Sequence, residues 1–160
     1  MKNIKNPLSL LAFIAIVGAV QFAGTLSTAQ SLIEWYPQLA KPVFNPPNWI
    51  FAPVWTILYL LIAVSGWMVW TRREGNEKPV DGALTVFAVQ IFLNAAWSFL
   101  FFGMRSPYLG IIGIAFLWLA IAFNIFSFYR ISKNAAYLLL PYIFWVSFAA
   151  LLNFAVWQLN

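Results

Sequence analysis

Residues 106–129, SPYLGIIGIAFLWLAIAFNIFSFY, form an uninterrupted uncharged stretch that is long enough to cross a lipid bilayer as one α-helix. A helix needs about 20 apolar residues to span roughly 30 Å of hydrocarbon. Four further stretches also exceed about 20 residues and contain no charged residue: 6–33, 42–71, 82–104 and 134–160. Because the few charged residues lie between these stretches, the sequence predicts five membrane-spanning helices.

Two other fold classes do not fit this pattern. Only 8% of the residues are charged, whereas a soluble domain would be about a quarter charged and would contain amphipathic helices. A transmembrane β-barrel would alternate apolar and polar residues in segments of about ten, and no such alternation is present. We therefore predict an all-α membrane bundle that forms a single domain over residues 1–160. Its predicted spans are about 8–31, 49–71, 82–102, 108–128 and 135–159.

The N-terminal segment has two interpretations. Lys2 and Lys5 precede an apolar run, and Ser27 and Ala29 have the small-residue spacing of a signal-peptide cleavage site. The apolar run, 7–26, is longer than the usual 7–15-residue core of a signal peptide. We therefore expect a retained first span.

The basic residues predict the orientation, because cytoplasmic loops of membrane proteins are enriched in Lys and Arg. The side that carries the N-terminus holds seven of the nine: Lys2, Lys5, Arg72, Arg73, Lys78, Arg130 and Lys133. The opposite side holds only Lys41 and Arg105. The N-terminus is thus predicted to be cytoplasmic, with the first loop on the outside.

The residue types exclude several kinds of chemistry. The chain contains no Cys and no His, so it lacks thiol nucleophiles, disulfides and the usual ligands of zinc and haem. No span has a charged residue near its middle, which disfavours an ion-coupled transporter. The basic residues lie at span ends, which favours contact with lipid headgroups over nucleic acid. We identify no catalytic constellation and no obligatory cofactor.

The third span carries a polar stripe. Gln90, Asn94 and Ser98 recur every four residues and therefore share one helix face, with Trp97 beside them. Such groups need partners inside a membrane bundle. They either form hydrogen bonds between helices or orient the polar edge of a bound ligand.

Aromatic residues in two spans suggest a pocket. Trp145 and Ala149 share one face of the fifth span, and Trp55 and Tyr59 lie one turn apart in the second, which begins with Trp49. These residues indicate either plain helix packing or the wall of a site for a flat ligand. The nine tryptophans exceed what two interfacial belts require, which favours a planar aromatic or sterol-like ligand.

Three segments carry specific motifs. The first loop and second span contain Trp35-Tyr36, Lys41-Pro42, Asn45-Pro46-Pro47, Trp49, Phe51, Pro53-Val54-Trp55-Thr56 and Leu58-Tyr59. The third span contains Gln90, Asn94, Trp97-Ser98 and Phe101-Phe102, and the fifth contains Leu139-Leu140-Pro141-Tyr142, Trp145, Ala149 and Leu152-Asn153. In this order, and over nearly the whole chain, these motifs resemble the tryptophan-rich sensory protein/translocator protein family, which includes the peripheral benzodiazepine receptor.

The resemblance implies a five-helix bundle, usually a homodimer in a bacterial cell membrane, with the loop 34–48 closing a pocket. Family members bind protoporphyrin IX and the drug PK11195, and some bind cholesterol. By position, the resemblance implies these ligand-binding residues: Trp35, Tyr36, Phe44, Trp49, Trp55, Tyr59, Asn94, Trp97, Tyr142, Trp145 and Ala149. Phe44 departs from the tryptophan of many relatives, and the cholesterol motif of animal members is missing after Leu152. Cholesterol transport is therefore not expected.

Three functions are compatible with this resemblance. The leading hypothesis is a receptor or sensor that binds metal-free porphyrin, with ring propionates near Lys41, and that is linked to tetrapyrrole and stress regulation. The second is a light- and oxygen-dependent breakdown of porphyrin initiated at Trp35 or Trp145. The third is a passive carrier of porphyrin or lipid.

Overall fold

The computed structural model describes residues 7–160, which form helices and connecting loops without any β-strand. Five segments of this range are long and apolar enough to cross a membrane: Pro7–Leu26, Asn48–Trp70, Glu77–Gly103, Pro107–Tyr129 and Lys133–Leu159. The prediction of an all-α bundle with five spans is confirmed. Lys2 and Lys5, on which the predicted orientation partly depends, lie outside the described residues.

Six α-helices build the five spans. They are α1 (Pro7–Glu34), α2 (Phe51–Trp70), α3 (Glu77–Ser98), α4 (Pro107–Tyr129), α5 (Lys133–Leu138) and α6 (Leu140–Leu159). One end of the bundle carries the α1–α2 connection and the turn between α3 and α4; we call it the loop end. The other end carries the polar loop after α2 and the short connection before α5.

The third span begins earlier than its composition indicates. The sequence predicts that the third span begins at about residue 82, but α3 already begins at Glu77. Charged residues are compatible with a helix that extends beyond the hydrocarbon, and an acidic first turn is favourable beside the helix dipole. The guanidinium of Arg73, in the loop before α3, donates to both carboxylate oxygens of Asp81 in α3, at 2.7 and 3.0 Å. This ion pair attaches the loop to the first turns of the helix.

The third span ends in an irregular turn at the loop end. Residues Phe99–Gly103 continue α3 as a π-helical turn, a local widening that often occurs at functional sites. Arg105 then adopts a positive φ of 51°, and Ser106 caps α4 by accepting a hydrogen bond from the backbone amide of Leu109 at 3.2 Å. The chain thereby reverses direction in a few residues.

The fifth span is broken, although the sequence predicts one helix over 135–159. Its two helices meet at Leu139, two residues before Pro141. Proline has no backbone amide to donate to the preceding turn, so it weakens the helix at this point. The side-chain hydroxyl of Ser65 donates to the backbone oxygen of Ala135 at 2.7 Å, which attaches α5 to α2.

The first and third spans run parallel and side by side. Three contacts join residues that are the same number of positions apart: Phe13 with Phe87, Gly24 with Ser98, and Ser31 with Arg105. The register between α1 and α3 is therefore constant along their length. In contrast, four alanines that lie on nearly one face of α1 are all exposed: Ala12, Ala15, Ala19 and Ala23. This face belongs to the outer surface of the bundle.

Candidate ligand-binding site

A cavity of about 560 Å³ lies between α1, α2, α3 and α6 near the loop end. Its size falls within the range of small-molecule sites. Helices α1 and α2 and the loop between them contribute Val20, Gln21, Gly24, Thr25, Thr28, Leu32, Tyr36, Asn48, Phe51, Ala52, Trp55, Thr56 and Tyr59. The third and fifth spans contribute Asn94, Ala95, Trp97, Ser98, Phe101, Phe102, Trp145, Ala149, Leu152, Asn153 and Val156.

Near-parallel aromatic rings form one wall of this cavity. The indole of Trp55 stacks on Tyr59, with 5.4 Å between the ring centroids and 26° between the planes. The plane of Trp55 is also within 29° of that of Trp97, with 6.4 Å between the centroids, and Trp97 lies at 6.0 Å and 28° from Phe101. Aligned π-faces of this kind suit a flat apolar ligand.

Asn94 closes the inner end of the cavity as part of a hydrogen-bond network. Its Oδ1 accepts a bond from the hydroxyl of Tyr59 at 2.6 Å, and its Nδ2 donates to the hydroxyl of Tyr142 at 2.8 Å. The network joins α2, α3 and α6. Of the two interpretations of the polar stripe, the geometry of Asn94 favours hydrogen bonding between helices, because both polar atoms of its amide have protein partners.

Trp97 is fixed in a similar way. Its indole Nε1 donates to Oδ1 of Asn153 at 3.3 Å, and Nδ2 of Asn153 donates to the backbone oxygen of Pro107 at 2.8 Å. A Cβ added to Gly110 would lie 2.6 Å from the same Oδ1. The absence of a side chain at Gly110 therefore allows α4 to approach Asn153, which orients the indole that lines the cavity.

Trp145 differs from the other indoles because its Nε1 is buried and has no hydrogen-bond partner among the described residues. Its ring packs edge-on against Phe51 at 5.9 Å and at a tilt of 44° against Phe148 at 5.6 Å. It also borders an apolar groove between α2 and α6 on the outer surface, beside Phe144. A buried indole N–H without a partner is a donor that a ligand could use.

The wall that α1 contributes includes the polar residues Gln21, Thr25 and Thr28, which are not among the ligand residues predicted from the sequence. Thr25 and Thr28 direct their hydroxyl hydrogens to the backbone oxygens of Gln21 and Thr25, each at 3.0 Å. Gln21 lines the cavity opposite the aromatic residues. Gln21, Thr25 and Thr28 recur at i, i+4 and i+7 and therefore share one helix face, and this polar stripe is the sequence signal that could have indicated the wall.

The loop after α1 covers the loop end of the cavity. Tyr36 is buried and donates its hydroxyl hydrogen to Oδ1 of Asn45 at 3.3 Å. Burial raises the pKa of this hydroxyl, so it remains protonated and able to donate. The ammonium of Lys41 lies 4.7 Å above the ring of Tyr36. Asn160 holds the same loop by two hydrogen bonds of 3.0 Å to the backbone of Ala40.

The structure places the sequence-predicted ligand residues in two groups. Seven line the cavity: Tyr36, Trp55, Tyr59, Asn94, Trp97, Trp145 and Ala149. Four do not: Trp35, Phe44, Trp49 and Tyr142. Trp35 packs edge-on against Phe101 at 5.6 Å, and Tyr142 is fully buried behind Asn94. Phe44 and Trp49 are 54% and 73% exposed.

Comparison with known proteins identifies the family. Residues 12–158 match the TspO/MBR family. The chain is 43% identical to tryptophan-rich protein TspO of Chlorobaculum tepidum, over 98% of both chains. It is 44% identical to tryptophan-rich protein TspO of Archaeoglobus fulgidus, over 97% of this chain and 99% of that one. Translocator protein of Bos taurus is 35% identical over 87% of this chain and 82% of its own length. The chain is therefore an integral membrane protein that belongs to the TspO/MBR family.

Proposed function

We propose that this protein is a membrane receptor that binds a flat apolar ligand of the metal-free porphyrin class, such as protoporphyrin IX. The observation that carries the proposal is the run of near-parallel rings formed by Trp55, Trp97 and Phe101 along a cavity inside the bundle. A macrocycle can stack on such a wall over a large area. The names of the relatives, which describe sensory and translocator proteins, support a receptor.

One feature favours the metal-free form of the ring, and a second would orient the ring in the cavity. The chain has no His and no Cys, which are common axial ligands of haem iron. Lys41 lies at the loop end, over the ring of the cavity residue Tyr36. Its ammonium can pair with a propionate carboxylate by charge-assisted hydrogen bonds. The ligand would then enter with its apolar edge first and leave its propionates at the loop.

Titration of the purified protein with protoporphyrin IX tests this proposal. Saturable quenching of tryptophan fluorescence and a shifted Soret absorbance are expected. Replacement of Trp55 by Leu removes one stacked ring and should weaken binding about tenfold or less. Trp157→Phe is the control, because this exposed indole packs on Tyr108 away from the cavity. Equal affinities in wild type and Trp55→Leu would contradict the proposed site.

A porphyrin-degrading photoreaction is the second candidate, and the position of Trp145 favours it. Trp145 lines the cavity, whereas Trp35 packs on Phe101 outside it. If the reaction occurs, its defined product should be lost in Trp145→Phe and retained in Trp35→Phe after illumination in air. Loss in both variants, or in neither, would argue for nonspecific bleaching.

We also propose a bacterial cell membrane location, with the N-terminus in the cytoplasm and a homodimeric assembly. Because the chain has no Cys, single introduced cysteines can report sidedness. Val43→Cys lies in the exposed loop at one end, and Glu74→Cys lies in the loop at the other. A membrane-impermeant maleimide added to intact cells should label only Val43→Cys. Crosslinking through Ala15→Cys on the exposed α1 face would test for a dimer there.

A further inference from the structure

Gln21 lies at the inner end of the cavity, deep within the membrane-spanning part of α1. The α1–α3 register, in which Gly24 faces Ser98, places Gln21 at the level of Ala95. This is the level of the network formed by Asn94 and its two tyrosines. Gln21 is eleven residues, or roughly 17 Å, below Leu32 at the loop end of the same cavity.

The side-chain amide of Gln21 has no hydrogen-bond partner among residues 7–160, and the hydroxyl of Thr25 bonds the backbone oxygen of Gln21, not its amide. Two other polar groups that line the cavity are engaged with the protein. Asn94 bonds two tyrosines, and the indole of Trp97 donates to Asn153. Gln21 therefore presents an uncommitted carboxamide to the cavity.

An uncommitted amide at this depth has an energetic cost. Gln21 is partly exposed in the cavity lining, and lipid acyl chains offer neither donors nor acceptors, so within the membrane its amide gains a partner only from water or from a ligand in the cavity. A carboxamide offers both an N–H donor and a carbonyl acceptor. The group is therefore suited to a ligand edge that carries a hydroxyl or a carbonyl oxygen.

We propose that Gln21 determines specificity by forming a hydrogen bond with an oxygen substituent on the ligand edge that enters the cavity first. The inference rests on the proposed function, in which Lys41 holds the propionates at the loop end. The opposite edge of the macrocycle then reaches Gln21. The preferred ligand class is a tetrapyrrole, or a flat ring system of similar size, with a hydroxyl or carbonyl group on the edge opposite its carboxylates.

Two porphyrins that differ only at this edge test the proposal. Haematoporphyrin IX has hydroxyethyl groups where mesoporphyrin IX has ethyl groups, and both have the same propionates. Replacement of Gln21 by Met keeps the length of the side chain and removes both hydrogen-bonding atoms. In the Gln21→Met variant, haematoporphyrin affinity should fall about three- to tenfold, and mesoporphyrin affinity should change less than twofold.

Gln30→Met is the matched control, because Gln30 is an exposed residue of the same helix that bonds Glu34 outside the cavity. It should leave both affinities unchanged. Gln21→Leu provides a second variant, and thermal unfolding shows that each variant is folded. Equal loss for both porphyrins in the Gln21 variants, or no loss for either, would overturn the role of Gln21 while leaving the receptor intact. If wild type binds neither porphyrin, the proposed function itself fails and this inference fails with it.

Discussion

The amide nitrogen Nδ2 of Asn94 lies 2.8 Å from the hydroxyl oxygen of Tyr142, a residue with no solvent exposure. This bond joins α3 to α6 directly behind the aromatic wall of the cavity. Tyr59 adds a third helix through its 2.6 Å bond to Oδ1 of the same amide. Asn94 therefore determines how three cavity-lining helices are spaced.

Removing Asn94 should destabilise the bundle more than removing one of its partners. Tyr142→Phe deletes a single hydrogen bond, and such bonds between membrane helices contribute about 0.6 kcal/mol on average. Asn94→Leu leaves two tyrosine hydroxyls without their partner and should lower the free energy of unfolding by about 1–3 kcal/mol. Unfolding in mixed detergent micelles measures both changes.

Thr56→Val is the control for this comparison. The Thr56 hydroxyl donates within α2 to the backbone oxygen of Ala52, so its loss breaks no bond between helices. A similar loss of stability in Thr56→Val and Asn94→Leu would indicate that the network contributes nothing beyond ordinary helix packing.

The sequence predicts the spans well because lipid imposes a simple rule, that charged residues are excluded for about 20 residues at a time. Trp55 and Trp145 could be assigned to a pocket from their motifs. The loop is harder to predict, because proline and aromatic content does not reveal which side faces inward; Tyr36 is buried, whereas Trp49 is exposed. Gln21 shares a polar helix face with Thr25 and Thr28, but its position beside α3 depends on a long-range register between two helices, which the sequence does not reveal.

Gly110 should be intolerant of a side chain, since a Cβ there would lie 2.6 Å from Oδ1 of Asn153 and 2.7 Å from the ring of Phe101. Gly110→Ala should cost about 1–3 kcal/mol through overpacking. It should also weaken porphyrin binding, because Asn153 orients Trp97. Gly18→Ala is the control, with no atom within 4 Å of its added Cβ. Thermal unfolding and porphyrin titration of both variants check this prediction, and equal behaviour would contradict it.

Acid should loosen the attachment of α1 to the α3–α4 turn. A hydrogen bond from Gln30 and then one from Arg105, at 3.1 Å, hold the pKa of the Glu34 carboxyl below its usual value. A lowered pKa in the folded state means that stabilisation is present above the ordinary value of 4.5 and is lost as the pH falls through the lower folded value. The effect should be small because both side chains are about half exposed.

Melting temperatures recorded from pH 6 downwards check this sign. The wild-type melting temperature should drop more steeply below about pH 4.5 than that of Glu34→Gln, which has no carboxyl to protonate at this position. Parallel pH profiles for the two proteins would show that the Glu34–Arg105 pair contributes nothing to the acid response.

Asn160 should control the mobility of the loop that covers the cavity. Its Oδ1 accepts a hydrogen bond from the backbone amide of Ala40, its Nδ2 donates to the Ala40 oxygen, and Nδ2 also donates to the backbone oxygen of Val156 at 2.7 Å. One side chain thus holds both peptide groups of Ala40 against the end of α6.

Asn160→Ala should increase hydrogen exchange at the Ala40 amide and accelerate porphyrin dissociation. The residues of the aromatic wall are unchanged in this variant, and the freed loop should also accelerate association. The affinity for porphyrin should therefore fall by a smaller factor than the dissociation rate rises. Gln38→Ala is the control, since its amide bonds the backbone of Glu34 on the exposed surface. Unchanged exchange at Ala40 in Asn160→Ala would mean that the packing of Tyr36 alone holds the loop closed.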